Sequence, residues 1–273
     1  MLWKRVATAA VLLPLLVASI LFSAGRAAGW PFLLLYAVVA AICADEGFRM
    51  FLHGARDRVG GVALAVLVYF SAALLPESFG VPALLICVLL SVVHALPGAA
   101  DPAEKARTAA TLSLGAVYVG GFLAMYPRTL LLPRGEHWVL LGILAVATGD
   151  TMAYFTGRAI GRRKLAPVVS PNKTVEGAVG GLLGSVGFSV LYAHGFLPGV
   201  PAGYAAAAGA AVGIFGQAGD LFESLIKRAA GVKDSGTILP GHGGILDRAD
   251  GILAAGPVLY LFAALSSLAG AGA

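Results

Sequence analysis

The sequence predicts an all-α, polytopic transmembrane helical protein. Three observations predict this class: hydrophobic residues make up 59% of the 273 residues, charged residues make up only 12%, and the mean hydropathy is +0.87. A soluble domain carries about 25% charged residues, so this chain has too little polar surface to face water on all sides. Apolar runs near the length of about 20 residues that a helix needs to cross a bilayer recur along the chain. These features exclude disordered, collagen-like, disulfide-scaffold and soluble nucleic-acid-binding proteins.

Charge clusters and Pro or Gly breaks divide the chain into about nine candidate spans. The first follows Lys4 and Arg5 and resembles a signal peptide, but Ser23–Arg26 is a poor cleavage site and further spans follow, so we expect a retained helix. The spans at 81–97 and 108–126 are the least clear, because the former is short and polar or small residues dilute the latter. In chain order, the predicted spans are 6–24, 30–48, 61–76, 81–97, 108–126, 138–157, 175–196, 202–222 and 249–270.

The distribution of positive charge predicts how these spans are oriented. With the N-terminus in the cytoplasm, sixteen of the nineteen Lys and Arg residues fall in cytoplasmic segments, and only Arg26, Arg128 and Arg134 fall outside. This imbalance follows the positive-inside rule, so we expect a cytoplasmic N-terminus and an external C-terminus in the cell (inner) membrane. The same rule accounts for the net charge of +5 without a nucleic-acid partner.

We predict two regions. An N-terminal transmembrane bundle, 1–135, contains spans 1–5, and a C-terminal catalytic region, 136–273, contains spans 6–9. Two long polar loops of the second region, 158–174 and 227–248, are both expected to face the cytoplasm. Small residues in this region suit close helix packing in lipid. They include Gly177, Gly180, Gly181 and Gly184.

Half of the fourteen carboxylates converge near the predicted cytoplasmic ends of four spans. Ionisable groups at membrane depth are costly, so we expect them to have a function. A transporter usually places such groups near the midplane, whereas an enzyme that joins a lipid to a water-soluble cosubstrate needs a site at one leaflet. The asymmetry favours an enzyme with a polar cavity open to the cytoplasm. The seven carboxylates are Asp45, Glu46, Asp150, Asp220, Glu223, Asp247 and Asp250.

The segment from Ser224 to Asp250 has the components of a phosphate and magnesium site. Its glycines let backbone N–H groups approach phosphate oxygens, and its Lys and Arg residues neutralise phosphate charge. Asp220, Ser224 and Lys227, at i, i+4 and i+7, share one helical face. Asp247 and Asp250 also share a face, at i and i+3. Sites rich in carboxylate and poor in imidazole suit Mg²⁺ held jointly with substrate phosphates.

The same segment carries a recognisable pattern: S-x-x-K-R, a Lys-Asp pair, then H-G-G-x-x-D-R-x-D. It resembles the signature of the phosphatidate cytidylyltransferase (CDP-diacylglycerol synthase) family. The runs Asp150–Gly157, Ser170–Gly177 and Gly216–Asp220 are also similar to the family pattern. The resemblance is strong from about Asp150 to Asp250; before that it consists of hydropathy and of Glu46 at the end of span 2.

The resemblance implies a reaction and a set of partners. Members of the family condense CTP with phosphatidic acid to give CDP-diacylglycerol and pyrophosphate, need a divalent metal and can form homodimers. We therefore expect Mg²⁺, with one ion or two left open, and Asp220 and Asp247 as its ligands. The predicted catalytic residues are Asp220, Ser224, Lys227, His242, Asp247 and Asp250. The predicted substrate-binding residues are Asp150, Lys173, Thr174, Glu176, Arg228, Lys233, Asp234 and Arg248.

Other interpretations of these residues and of the chain stay open. His242, between glycines, is a turn residue, a phosphate contact or a general acid. Asp45, Glu46 and Arg49 are expected to pair with one another at a helix end and are not predicted to be catalytic. The nearest alternative function is a CTP-dependent transferase that uses another lipid acceptor, such as a polyprenyl phosphate. The alternative from another class is a transporter of a phosphorylated solute.

Overall fold

The structure, a computed structural model, describes residues 14–23, 29–98, 100–239 and 243–271. Within these ranges, eight helices are long and apolar enough to cross a membrane, which confirms the predicted all-α, polytopic transmembrane class. They match eight of the nine predicted spans. The first predicted span, 6–24, lies partly outside the described residues, and its described part includes a short apolar helix, α1 (Pro14–Ser23). The number of nine spans and the orientation of the chain in the membrane stay predictions.

The chain forms two units. The first unit contains the described residues of Met1–Arg128 and Asp234–Ala249, and the second contains those of Thr129–Lys233 and Asp250–Ala273. The predicted boundary between residues 135 and 136 stays a prediction. The elements after α1 are α2 (Trp30–Arg49), α3 (Ala55–Leu74), a 3₁₀ turn (Glu77–Phe79), α4 (Gly80–Ala95), α5 (Pro102–Ala116), a π-helical turn (Val117–Gly121), α6 (Met125–Leu130), α7 (Gly135–Ile160), β1 (Lys164–Ala166), β2 (Ser170–Thr174), α8 (Val175–Phe196), α9 (Ala202–Ala229) and α10 (Leu246–Ala271). Two of the eight apolar spans run through consecutive elements, Glu77–Ala95 and Pro102–Leu130.

In the first unit, aromatic side chains and close backbone approaches hold the helices together. Tyr69 and Tyr126 are fully buried. The Tyr69 hydroxyl donates to the backbone carbonyl of Leu33 at 2.7 Å, so a buried polar group is satisfied and α3 is fixed against α2. Gly120 approaches α3 so closely that an added Cβ would clash with the carbonyl oxygen of Ala65.

In the second unit, glycines let α7 and α8 pack at close range. A Cβ added at Gly181 would lie 2.8 Å from the carbonyl oxygen of Gly149, so only glycine fits there without a shift of the backbone. Ser185 of α8 adds a hydrogen bond of 2.9 Å to the carbonyl of Ala145 on α7. The packing predicted from small residues is confirmed at all four positions, where an added Cβ would press on α7: Gly177, Gly180, Gly181 and Gly184.

The polar segments contain more regular structure than the sequence predicts. In the predicted loop 158–174, β1 and β2 pair as an antiparallel ribbon with Lys164 opposite Thr174. Such short, polar strands carry no period-2 apolar pattern, so periodicity did not indicate them. Similarly, α9 continues to Ala229, past the predicted end at 222, because the charged residues used to end the span lie inside the helix.

Candidate active site

The second unit contains a polar cluster centred on Asp220 of α9. Asp220 Oδ2 lies 2.6 Å from the Nζ atom of Lys173 at the end of β2, and Ser224 Oγ donates to Asp220 Oδ1 at 3.4 Å. Asp220 and Ser224 share one face of α9, as their i, i+4 spacing predicts. The side chains of the ion pair keep 28% and 32% of their surface exposed, so a ligand can reach both charges.

Asp250 of α10 lies beside this cluster. Its carboxylate is close enough to Asp220, Asp150 and Lys227 to interact with each of them electrostatically. Gly219 permits this approach, because a Cβ there would lie 2.6 Å from the carbonyl oxygen of Asp250. The second unit therefore brings together six of the predicted site residues: Asp150, Lys173, Asp220, Ser224, Lys227 and Asp250.

Glu223 is a residue of this cluster that the sequence-based prediction omitted from the site. Its side chain is 1% exposed and forms an ion pair with Lys227, one turn further along α9, whose side chain is 12% exposed. A buried pair of opposite charges holds the ammonium group of Lys227 in a defined place. The signal was present in the sequence, since Glu and Lys at i and i+4 on a helix are spaced to pair.

Thr174 and Glu176 fix the backbone around Lys173. Thr174 Oγ1 caps α8 by accepting a hydrogen bond of 3.1 Å from a backbone N–H in its first turn. Glu176 Oε2 accepts hydrogen bonds from the backbone N–H groups of Arg162 and Arg163 at 3.0 and 3.2 Å. Thr174 thus secures the corner between β2 and α8, and Glu176 ties the first turn of α8 to the backbone that follows α7. Their predicted part in substrate binding stays a prediction.

In the first unit, Asp247 lies in the first turn of α10. Its Oδ2 atom accepts hydrogen bonds from the backbone N–H groups of Gly244 at 2.7 Å and Ser235 at 2.9 Å. A carboxylate is favoured there by the partial positive charge of the helix N-terminus. Asp247 therefore folds part of the signature segment back onto the start of α10.

Glu46 of α2 holds the same segment in the first unit and is only 2% exposed. Its Oε2 atom accepts from Leu246 N–H at 2.8 Å and from Ser235 Oγ at 3.2 Å, and its Oε1 atom accepts from Ile245 N–H at 3.2 Å. These donors come from residues 235–246, not from the charged neighbours on α2 that the sequence suggested. Glu46 is among the carboxylates that the sequence predicts to have a function, but these contacts were not predicted, because the partners lie about 200 positions further along the chain.

The remaining predicted residues lie at the surface of their units or outside the described residues. Arg228 is exposed, and its guanidinium donates to the carbonyl of Val232 at 3.0 Å. His242 lies outside the described residues, so its three interpretations stay open. The other predicted ligands for substrate in this segment are also exposed: Lys233, Asp234 and Arg248.

The donor chemistry around Asp220 fits a hard divalent cation. Carboxylate and hydroxyl oxygens are the ligands that Mg²⁺ prefers. Among the described residues, no group of three or more His, Cys, Asp and Glu side chains is arranged to hold a metal ion. A cation at Asp220 would therefore need oxygens from water or from substrate phosphates, which is the usual way that proteins bind Mg²⁺.

The class that these observations define is a helical membrane protein with a carboxylate and lysine cluster on its spanning helices. A family model described as the cytidylyltransferase family matches residues 3–266, and the chain belongs to this family. The resemblance stated from the signature segment is therefore confirmed. The match covers nearly the whole chain, including the N-terminal half, where the motifs are few.

The chain is similar to several proteins named phosphatidate cytidylyltransferase, among them the following three. The protein of Thermotoga maritima is 34% identical over 247 residues, which cover 83% of this chain and 86% of the relative. The protein of Bacillus subtilis is 40% identical over 157 residues, covering 57% of this chain and 58% of the relative. The protein of Brucella abortus is 47% identical over 134 residues, which is 49% of each chain. The chain is similar to these enzymes over most of its length in the first case and over about half in the others.

Proposed function

We propose that this protein condenses CTP with phosphatidic acid to give CDP-diacylglycerol and pyrophosphate. The observation that carries the proposal is the Asp220–Lys173 ion pair, at 2.6 Å, in a chain of the cytidylyltransferase family. A partly exposed ammonium next to a carboxylate can exchange its partner for a phosphate group. The names of the relatives supply the lipid substrate.

The reaction needs no covalent intermediate on the protein. A phosphate oxygen of phosphatidic acid attacks the α-phosphorus of CTP, the bond between the α-phosphorus and its bridging oxygen breaks, and pyrophosphate leaves with the bond electrons. Because the nucleophile is already anionic, the protein must mainly position two anions and offset their charge. In this proposal Lys173 and Lys227 supply positive charge in the second unit. The exposed Arg228, Lys233 and Arg248 are further candidates for phosphate binding.

We also propose that Mg²⁺ takes part, with Asp220 as a ligand and Ser224 beside it. Bound Mg²⁺ would neutralise charge on the phosphate oxygens. Four carboxylates lie in this cluster with two lysines, so a divalent cation suits its charge. Asp247 stays a predicted ligand on the basis of the signature. Asp250 and Asp150 would then influence the reaction through the electrostatic potential of the cluster rather than through direct contact with the substrate. The four carboxylates of the cluster are Asp150, Asp220, Glu223 and Asp250.

The place of the reaction follows from the positive-inside rule. We propose a multi-pass protein of the inner membrane with its site open to the cytoplasm, where CTP is dissolved, while phosphatidic acid reaches the site from the bilayer. A homodimer remains a prediction from the resemblance.

Pyrophosphate release by the detergent-purified protein tests this function. CTP, Mg²⁺ and phosphatidic acid together should give release, and omission of any one of them or addition of EDTA should abolish it. Asp220→Asn should lower the rate by about 100-fold or more, because one charge that organises the reacting groups is lost. Asp101→Asn is the matched control, since Asp101 only caps α5 and asparagine also caps helices.

Two outcomes would contradict the proposal. Release from CTP with a polyprenyl phosphate but not with phosphatidic acid would keep the chemistry and replace the substrate. Folded protein that releases no pyrophosphate with any lipid phosphate would contradict the enzyme assignment, and transport of a phosphorylated solute into vesicles would then be measured.

A further inference from the structure

Glu46 on α2 accepts hydrogen bonds from a segment about 200 positions further along the chain. Its buried carboxylate accepts from two consecutive backbone N–H groups, Ile245 and Leu246, and from the Ser235 hydroxyl. All three donors are uncharged. The neighbouring Asp45, in contrast, forms ordinary ion pairs with Arg49 and Arg58. The two adjacent acids of α2 therefore have different tasks.

The position of these donors explains why a carboxylate is needed. The first backbone N–H groups of a helix have no partner within that helix, and α10 begins at Leu246. A carboxylate at this end satisfies the donors and meets the positive end of the helix dipole. Glu46 thus caps α10 from a different helix, α2, rather than from the residues that precede α10.

The signature segment is built closely around this carboxylate. A Cβ added at Gly236 or at Gly244 would clash with carboxylate atoms of Glu46, so both glycines let the backbone approach. Ser235 connects the two acids, because its hydroxyl donates to Glu46 and its backbone N–H donates to Asp247. A change at Glu46 therefore affects the position of Asp247 in two ways, through Ser235 and through the start of α10.

We propose that Glu46 is a positioning residue that caps α10 and sets the place of Asp247 in the signature segment. Its catalytic consequence rests on the function proposed above, whereas the structural part does not. Glutamate suits the task because the carboxylate only accepts. Glutamine would turn an N–H₂ group towards at least one of the three donors and would leave that donor unsatisfied.

Hydrogen exchange on the intact protein in detergent tests the structural part without any substrate. In Glu46→Gln, peptides that contain Ile245 and Leu246 should exchange at least about 10-fold faster, because two amides lose an ionised acceptor. Ser235→Ala, a milder change, should speed the same peptides less. Asp45→Asn is the matched control with the same loss of charge one residue away, and it should leave these peptides unchanged. Exchange as slow in Glu46→Gln as in the wild type, or equally fast in Asp45→Asn, would overturn the proposal.

Steady-state kinetics tests the catalytic part. Glu46→Gln should lower kcat by about 10- to 100-fold, the usual effect of losing a group that orients a functional ligand. Glu46→Asp, which keeps the charge, should recover part of this loss, and the double variant Glu46→Gln, Ser235→Ala should be no slower than Glu46→Gln alone. Additive losses in the double variant, or no recovery with aspartate, would contradict action through the signature segment. If the wild type releases no pyrophosphate, the proposed function fails while the exchange experiment still decides the role of Glu46.

Discussion

Asp220 Oδ2 and Lys173 Nζ lie 2.6 Å apart, although the two residues come from α9 and from the end of the β1–β2 ribbon. Asp220 belongs to a membrane-spanning helix, and Lys173 belongs to a polar segment. The pair therefore joins the spanning helix α9 to the polar segment between α7 and α8. Its partial exposure distinguishes it from the buried Glu223–Lys227 pair on the same helix.

Removal of Lys173 should slow the reaction strongly. Lys173→Ala takes away a charge that stabilises the transferring phosphate, so kcat should fall by about 100-fold in the pyrophosphate assay. Because Lys173 and Asp220 interact, the double variant Lys173→Ala, Asp220→Asn should lose less than the product of the single losses. Lys105→Ala, at a half-buried lysine of the first unit that donates to the carbonyl of Leu96, is the control and should remain near the wild-type rate. Strictly multiplicative losses would show that the ion pair has no role in the reaction.

The Glu223–Lys227 pair should be important for stability as well as for activity. Glu223→Gln removes the carboxylate that pairs with Lys227, and loss of one partner of a buried ion pair typically costs about 3–5 kcal/mol. Thermal unfolding in detergent should show a clear fall in Tm. Adding Lys227→Met should restore much of the stability, because the buried charge is then gone, but it should not restore pyrophosphate release. Recovery of release in the double variant would exclude Lys227 from catalysis.

Gly219 should resist substitution because it lies against the backbone of α10. Alanine there would place its Cβ 2.6 Å from the carbonyl oxygen of Asp250, so α9 and α10 must move apart. Overpacking of this kind costs about 1–3 kcal/mol and should shift Asp220 relative to Asp250. Gly203→Ala, in the same helix but with open space around its Cβ position, is the control. Equal Tm and equal kcat for both variants would contradict the close packing of α9 on α10.

The cap of α8 should contribute to stability through Thr174. Thr174→Val keeps the shape but removes the hydroxyl that accepts from the first turn, at a cost of about 0.5–2 kcal/mol in unfolding experiments. Thr174→Ser keeps the acceptor and should stay near the wild type in stability. If Thr174→Val lost activity without losing stability, a direct role of the hydroxyl in substrate binding would be favoured instead.

Hydropathy predicted the spans well because a lipid-facing helix must be apolar on nearly every side. Eight predicted spans have helices at the expected places, from Trp30–Arg49 to Leu246–Leu268. Helix ends were less predictable. Charged residues ended the predicted spans, whereas the hydrogen bonds of α9 continue through Lys227 and Arg228 to Ala229.

In the candidate site, contacts between residues close in sequence could be predicted, whereas contacts between distant segments could not. Asp220, Ser224 and Lys227 could be predicted together because helical spacing alone places them on one face. The pairing of Lys173 with Asp220 and the capping of α10 by Glu46 depend on tertiary packing between distant segments. No spacing rule predicts such contacts, and only the family resemblance indicated that these segments belong to one enzyme.

The fate of the CTP phosphates tests the central claim most directly. The protein is incubated with Mg²⁺, phosphatidic acid and CTP that is labelled at either the α- or the γ-phosphate, and the lipid is then extracted. Attack at the α-phosphorus predicts that the α-label enters the lipid as CDP-diacylglycerol and that the γ-label stays in the aqueous pyrophosphate. The γ-label in the lipid, or neither label in the lipid, would contradict a cytidylyl transfer to phosphatidic acid.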